Sequence, residues 1–102
     1  INELENEVVR IIITPFSIGR ATESDYLIDK QSVSRKHAQI KLVDNYYLLE
    51  DLQSMNGTSV DGNLVKVGIG YRLKNGSIIQ IEDNFFTFHV NPEYEESYET
   101  PH

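Results

Sequence analysis

"HAQIKLVDNYYLLED", residues 37–51, sets the fold class. Ala38, Ile40 and Leu42 fall on one face of an extended chain, and Gln39 and Lys41 on the other, the two-residue period of a strand. Asp44-Asn45 is a turn pair, since both residue types tolerate left-handed backbone. "YYLLED" (46–51) then reads as the returning strand of a hairpin. The rest of the chain follows the same grammar. "VVRIIIT" (8–14) and "FSIG" (16–19) read as strands separated by Pro15, and "SIIQI" (77–81) pairs with "FFTFHV" (85–90) across "EDN". "DG" (61–62) and "NG" (75–76) predict tight hairpin turns, because glycine adopts positive φ freely. No helical periodicity and no internal repeat is found. Short β-branched runs at intervals of about ten residues predict an all-β sandwich or barrel.

The chain has 102 residues, enough for one domain. It contains no cysteine, which removes disulfides, thiolate nucleophiles and cysteine metal sites, and fits a reducing, cytoplasmic setting. No run approaches the roughly 18–20 apolar residues that span a bilayer, so membrane insertion is not expected. "INELENE" lacks the order of a signal peptide and begins without methionine, so the chain reads as a piece of a longer protein.

The formal net charge is −7, but it is unevenly placed. Residues 1–7 carry three acids and residues 91–102 carry four, with no Lys or Arg in either segment. Nine acids and nine bases remain in residues 8–90. The expected body, 8–90, is therefore neutral, between an acidic flank (1–7) and an acidic, flexible tail or linker (91–102). A neutral body argues against duplex nucleic acid, which requires a broad basic face. It leaves room for one small cationic site.

Three polar stretches supply such a site: Gly19-Arg20, Ser34-Arg35-Lys36-His37, and "DLQSMNGT" (51–58). They fall at strand ends and in loops. Their guanidinium, hydroxyl and amide groups are donors, and converging donors suit an oxyanion. A guanidinium fork matches phosphate geometry and the contact is charge-assisted. Ser34 and His37 as a nucleophile–base pair have poor geometry and no orienting acid, so catalysis is not expected. His37 is expected to tie a loop rather than bind metal, since His89 and His102 are remote in sequence. Asp51 beside Glu50 reads as a polar strand end, Lys36 as a solvated charge or ligand contact, and the two N-G-[S/T] sequences as turns.

The order GR, then SRKH, then DLQSMNGT, with "LKNGSIIQI" (73–81) late in the chain, resembles the forkhead-associated (FHA) domain family from about Val8 to Val90. The resemblance implies a β-sandwich of short, mostly antiparallel strands whose loops at one end bind phosphothreonine in a partner. It implies no cofactor and no catalytic residue. Carried over by position, Arg20 grips the phosphate, Ser34 donates its hydroxyl and backbone N–H, and Arg35 adds a contact. Asn56 bonds the peptide main chain. Gly19, His37, Gly57 and Thr58 shape the loops. Met55 stands where some members place a threonine, so its contact is expected from main chain alone. Ser32 stands where some members place an arginine that selects an acid. The family's first strand has no clear counterpart before Val8, with Ile1–Leu4 as the candidate. The expected role is docking within a larger signalling protein; docking through another face, independent of phosphate, is the alternative. Thr100, in "SYETPH", is a candidate for self-binding if phosphorylated.

Overall fold

The structure, a computed structural model, describes residues 8–90. The acidic flank, the tail with Thr100, and the candidate strand at Ile1–Leu4 lie outside the described residues. Nine strands form among the described residues: β1 (Phe16–Gly19), β2 (Tyr26–Leu27), β3 (Ala38–Val43), β4 (Tyr46–Asp51), β5 (Ser59–Val60), β6 (Asn63–Leu64), β7 (Tyr71–Leu73), β8 (Ile78–Ile81) and β9 (Asn84–Thr87). One sheet runs β2-β1-β3-β4-β7 and the other β6-β5-β8-β9. Every pairing is antiparallel except β1 with β2. The fold is the expected β-sandwich.

Alternation drives this arrangement. Phe16, Ile18, Ala38, Ile40, Leu49 and Leu73 of the first sheet meet Val60, Ile79 and Ile81 of the second in one buried core. Each fully buried Val, Leu or Ile contributes about 1.5–3 kcal/mol relative to exposure. Aromatic rings close the margins: Tyr47 meets Phe88 at 5.3 Å, and Tyr26 meets Phe86 edge-on at 5.5 Å.

The Asp44-Asn45 hairpin forms as read, with φ of 51° and 73°, and Asp61-Gly62 closes β5–β6 with 52° and 83°. Both carry the two positive φ values of a type I′ turn. Asn75-Gly76 turns tightly but is not a hairpin: β7 pairs with β4 and β8 with β5 and β9, so this turn carries the chain from one sheet to the other. Residues 8–14 do not form the expected strand. Both edges of β1 are already taken, by β2 and β3, so a preceding segment has no place beside it. Ile12 and Ile13 stay exposed, and Ile11 packs against the core. Leu42, expected inside, is 47% exposed because β3 there runs past the sandwich into its turn.

Polar residues hold the outer face of the first sheet. Lys41 Nζ lies 2.8 Å from Glu50 Oε2, Gln39 Nε2 donates to Glu50 Oε1 at 2.8 Å, and Arg72 covers the Tyr46 ring at 4.1 Å. The hydrogen bond from Lys41, then that from Gln39, holds the Glu50 carboxyl below its ordinary 4.5. The unfolded chain therefore takes up this proton at a higher pH than the folded one. Stability from Glu50 is present above pH 4.5 and is lost as pH falls through the folded-state value. Lys41→Met is expected to flatten this acid dependence while changing stability at neutral pH by about 1 kcal/mol or less. Urea unfolding between about pH 3 and pH 7 reads both.

Candidate functional site

The strand directions bring four connections to one end of the sandwich: 20–37 after β1, 52–58 after β4, 65–70 after β6, and the short turn after β8. Residues 20–25 and 28–37 flank the brief β2. The tight turns at 44–45, 61–62 and 75–76 occupy the other end.

His37 organises the loop end. It is fully buried, and all four of its polar groups are engaged. Its N–H donates to Ile18 O at 3.1 Å, and its carbonyl accepts from Leu52 N at 2.9 Å. Ring Nδ1 accepts from Ser34 N at 3.1 Å, which leaves the ring proton on Nε2, facing Gly57 O at 2.8 Å. One ring thus clasps the loop before β3 to the loop after β4. No metal role is open to it, and no group of three or more His, Cys, Asp or Glu able to hold a metal exists among the described residues.

Gly19 lets the first loop approach. A Cβ there would stand 2.1 Å from Arg35 O, inside any allowed contact. The close approach permits the bonds Arg20 N to Ser34 O at 3.0 Å and Ala21 N to Arg35 O at 3.2 Å. The Arg20 guanidinium is fixed by its Nε, which donates to Val33 O at 2.9 Å. Its two terminal nitrogens have no partner among the described residues. Side chain and loop are therefore set in place with the forked end uncommitted.

Ser34 is half-buried. Its backbone N–H, expected to face an anion, is spent on His37. Its Oγ accepts from Met55 N at 2.8 Å, so the Met55 main-chain N–H is spent as well. The Ser34 hydroxyl proton is what remains to give. The Met55 side chain is 86% exposed and projects from the loop. Asn56 is exposed, and its Nδ2 donates to Ser32 O at 2.9 Å, a further tie between the loops. Arg35 and Lys36 are exposed, with side chains unpaired among the described residues.

Asp51 holds the 52–58 loop, a role not read from the sequence. Its carboxylate is 4% exposed and accepts from Ser54 N at 3.0 Å, Ser54 Oγ at 2.6 Å and Thr58 Oγ1 at 2.7 Å. Ser54 Oγ in turn accepts from Gly57 N at 2.9 Å. The signal was present as Asp-x-x-Ser at a strand end, where a carboxylate can accept from the backbone and hydroxyl three residues on. Gly57 sits at φ 87°, which glycine alone adopts without strain.

A β-sandwich that presents an uncommitted guanidinium fork and hydroxyl proton on interlocked loops has the chemistry to receive a compact anion. The chain belongs to the FHA family: the FHA domain model matches residues 16–82. The transcriptional regulatory protein EmbR of Mycobacterium tuberculosis is 35% identical over 74 residues, 72% of this chain and 19% of EmbR. Its structure in complex with a low-affinity phosphopeptide matches with a TM-score of 0.69, covering 74% of this chain and 19% of that one. The glycogen accumulation regulator GarA of the same organism is 36% identical over 76 residues, 74% of this chain and 45% of GarA. The N-terminal FHA domain of S. cerevisiae Rad53p, solved with a phosphothreonine peptide, gives a TM-score of 0.68 at 28% identity over 80% of this chain and 72% of that one. The chain spans about a fifth of EmbR and under half of GarA.

Removing the Asp51 carboxylate would strand three donors. Asp51→Ala is expected to destabilise the domain by about 1–3 kcal/mol through the buried Thr58 hydroxyl alone. Urea unfolding measures the loss, and hydrogen exchange at the Ser54 and Gly57 amides, accelerated at least tenfold relative to β3, localises it to this loop.

Proposed function

We propose that this chain is a phosphothreonine-dependent docking module, without catalytic activity, within a larger regulatory or signalling protein. The observation that carries the reading is the state of Arg20 and Ser34. Both are locked in position by bonds to neighbouring loops, yet each keeps donors that no protein group uses. Donors held ready in a partly desolvated site need no rearrangement to receive an anion. Arg20 takes the phosphate through its terminal nitrogens, a charge-assisted fork. The Ser34 hydroxyl donates to a phosphate oxygen, and exposed Arg35 adds long-range attraction. Asn56, its Nδ2 anchored on Ser32, offers its carbonyl and second N–H to the peptide main chain. Met55 contributes its exposed thioether chain as apolar surface beside the phosphothreonine, rather than a main-chain N–H. The EmbR and Rad53 structures, each with a phosphopeptide, support the assignment. No helix among the described residues is long and apolar enough to cross a membrane. A partner phosphorylated by a kinase fits a module working in the cytoplasm, or in the cytoplasmic part of its parent.

Two outcomes are expected in titrations with fluorescent phosphopeptides. Arg20→Ala lowers affinity at least about thirtyfold, the loss of roughly 2–5 kcal/mol from a charged pair. Arg20→Lys, which keeps the charge but not the fork, also weakens binding, and near-UV circular dichroism of both variants matches wild type. Binding by Arg20→Ala within threefold of wild type would show that the phosphate sits elsewhere or is not required. Phosphothreonine outbinds phosphoserine about fourfold, the contribution of one buried methyl at roughly 0.8 kcal/mol.

A further inference from the structure

On the far side of Asn56 from the Ser34 loop, the second sheet carries an open depression of about 380 Å³ lined by Asn56, Gly57, Ser59, Gln80, Glu82 and Asp83. Its floor is a cross-strand row. Ser59 pairs with Gln80 on the outer face, opposite the buried Val60 and Ile79. Leu64 flanks Ser59 on one side and Phe85 flanks Gln80 on the other, 68% and 63% exposed. At a strand spacing of about 4.8 Å, these two apolar residues stand about 14 Å apart, room for one extended segment.

The hydrogen bonds around the depression have a common direction. Asn56 Nδ2 donates away, to Ser32 O, and Gln80 Nε2 donates to Glu82 O at 2.9 Å. Each amide keeps its oxygen as an uncommitted acceptor, with one N–H spent and one left. Asp83 is paired with Lys30 Nζ at 3.0 Å, an exposed contact. The Glu82 carboxylate has no partner among the described residues. Glu82 further sits at φ 58°, an uncommon place for a residue that is not Gly, Asn or Asp. The depression thus combines one unpaired negative charge with amide oxygens. Lys and Arg are donor-only cations and complement that set. The phosphate site next to it has the opposite character, with free donors and positive charge.

From this juxtaposition we infer that the depression is a specificity subsite for a lysine or arginine side chain in the same peptide that carries the phosphothreonine, with Glu82 as its determinant. The inference rests on the phosphothreonine reading above, because Asn56 is the shared wall of both sites. An extended peptide advances about 3.3 Å per residue, so a basic residue a few positions from the phosphothreonine reaches the depression. Leu64 and Phe85 line the aliphatic stem of such a side chain or a neighbouring apolar residue.

The test is a positional scan. Phosphothreonine peptides with alanine flanks receive Lys, Glu or Ala at each position within five residues of the phosphothreonine, and affinities are measured by fluorescence anisotropy. Wild type is expected to prefer Lys over Glu at one position by about three- to fivefold, the range for an exposed ion pair. Glu82→Gln abolishes that preference while binding the all-alanine peptide within twofold of wild type. Glu82→Lys inverts the preference, so that the Glu peptide binds better at the same position. A flat scan in wild type, or a lysine preference that survives in Glu82→Gln, overturns the subsite and leaves phosphothreonine recognition standing. Failure of every phosphothreonine peptide to bind better than its unphosphorylated form overturns both readings.

Discussion

A 2.8 Å hydrogen bond from His37 Nε2 to Gly57 O joins two loops that would otherwise be free to separate. The binding end depends on it. The ring reaches Gly57 only because Nδ1 is held by Ser34 N, and the His37 backbone is held between Ile18 and Leu52. Ser34 is therefore positioned by the same residue that positions the Asn56 loop. A side chain without both an acceptor and a donor at that separation and reach cannot accept from one loop and donate to the other. Buried polar networks of this kind are stable only when each member is satisfied, and no buried side-chain nitrogen or oxygen among the described residues lacks a partner.

Around that bond, loop rigidity is distributed between glycine and carboxylate. Gly19 removes a Cβ so that the backbone of β1 can lie against Arg35. Asp51 gathers three donors into one turn and hands Ser54 Oγ to Gly57. The result is a set of loops fixed by polar contacts together with the packing of Ile28 and Val33 into the core, which is why their functional atoms can stay exposed without becoming mobile. The price in affinity is paid in advance: little conformational freedom remains to be lost when a ligand arrives.

Much of this was legible in the sequence because strand physics is local. The alternation from Ala38 and the Asp44-Asn45 turn sufficed for the β3–β4 hairpin, and β8–β9 followed from their apolar runs. The family was legible through the order of the polar motifs along the chain, and with it the candidate binding residues. What escaped is non-local. Whether Asn75-Gly76 makes a hairpin depends on which sheet each flanking strand joins, and the turn itself carries no record of that. The apolar 8–14 run has strand composition, but its place beside β1 was taken by β2, a strand of two residues with no signal of its own. The spending of the Ser34 and Met55 N–H groups depends on a three-dimensional closure between loops 21 residues apart. Asp51 was visible as an Asp-x-x-Ser pattern, but the third donor, Thr58, lies a turn further on.

The route of the chain also sets when during synthesis the receptor comes into being. Arg20, Ser34 and Asn56 have all left the ribosome once residue 56 emerges, yet the loop bearing Asn56 is anchored by β5. β5 is only two residues long, and its inner neighbour, β8, is made about twenty residues later. β4 likewise waits for β7 to cover its open edge. Until the Asn75-Gly76 crossing lays β8 beside β5, the loops that carry these residues have no common floor. Non-local closure of this sort delays folding relative to locally connected chains. A nascent or truncated domain that ends before Ile78 thus presents the right residues without the assembled site, and the proposed competence to bind a phosphorylated partner coincides with completion of the fold.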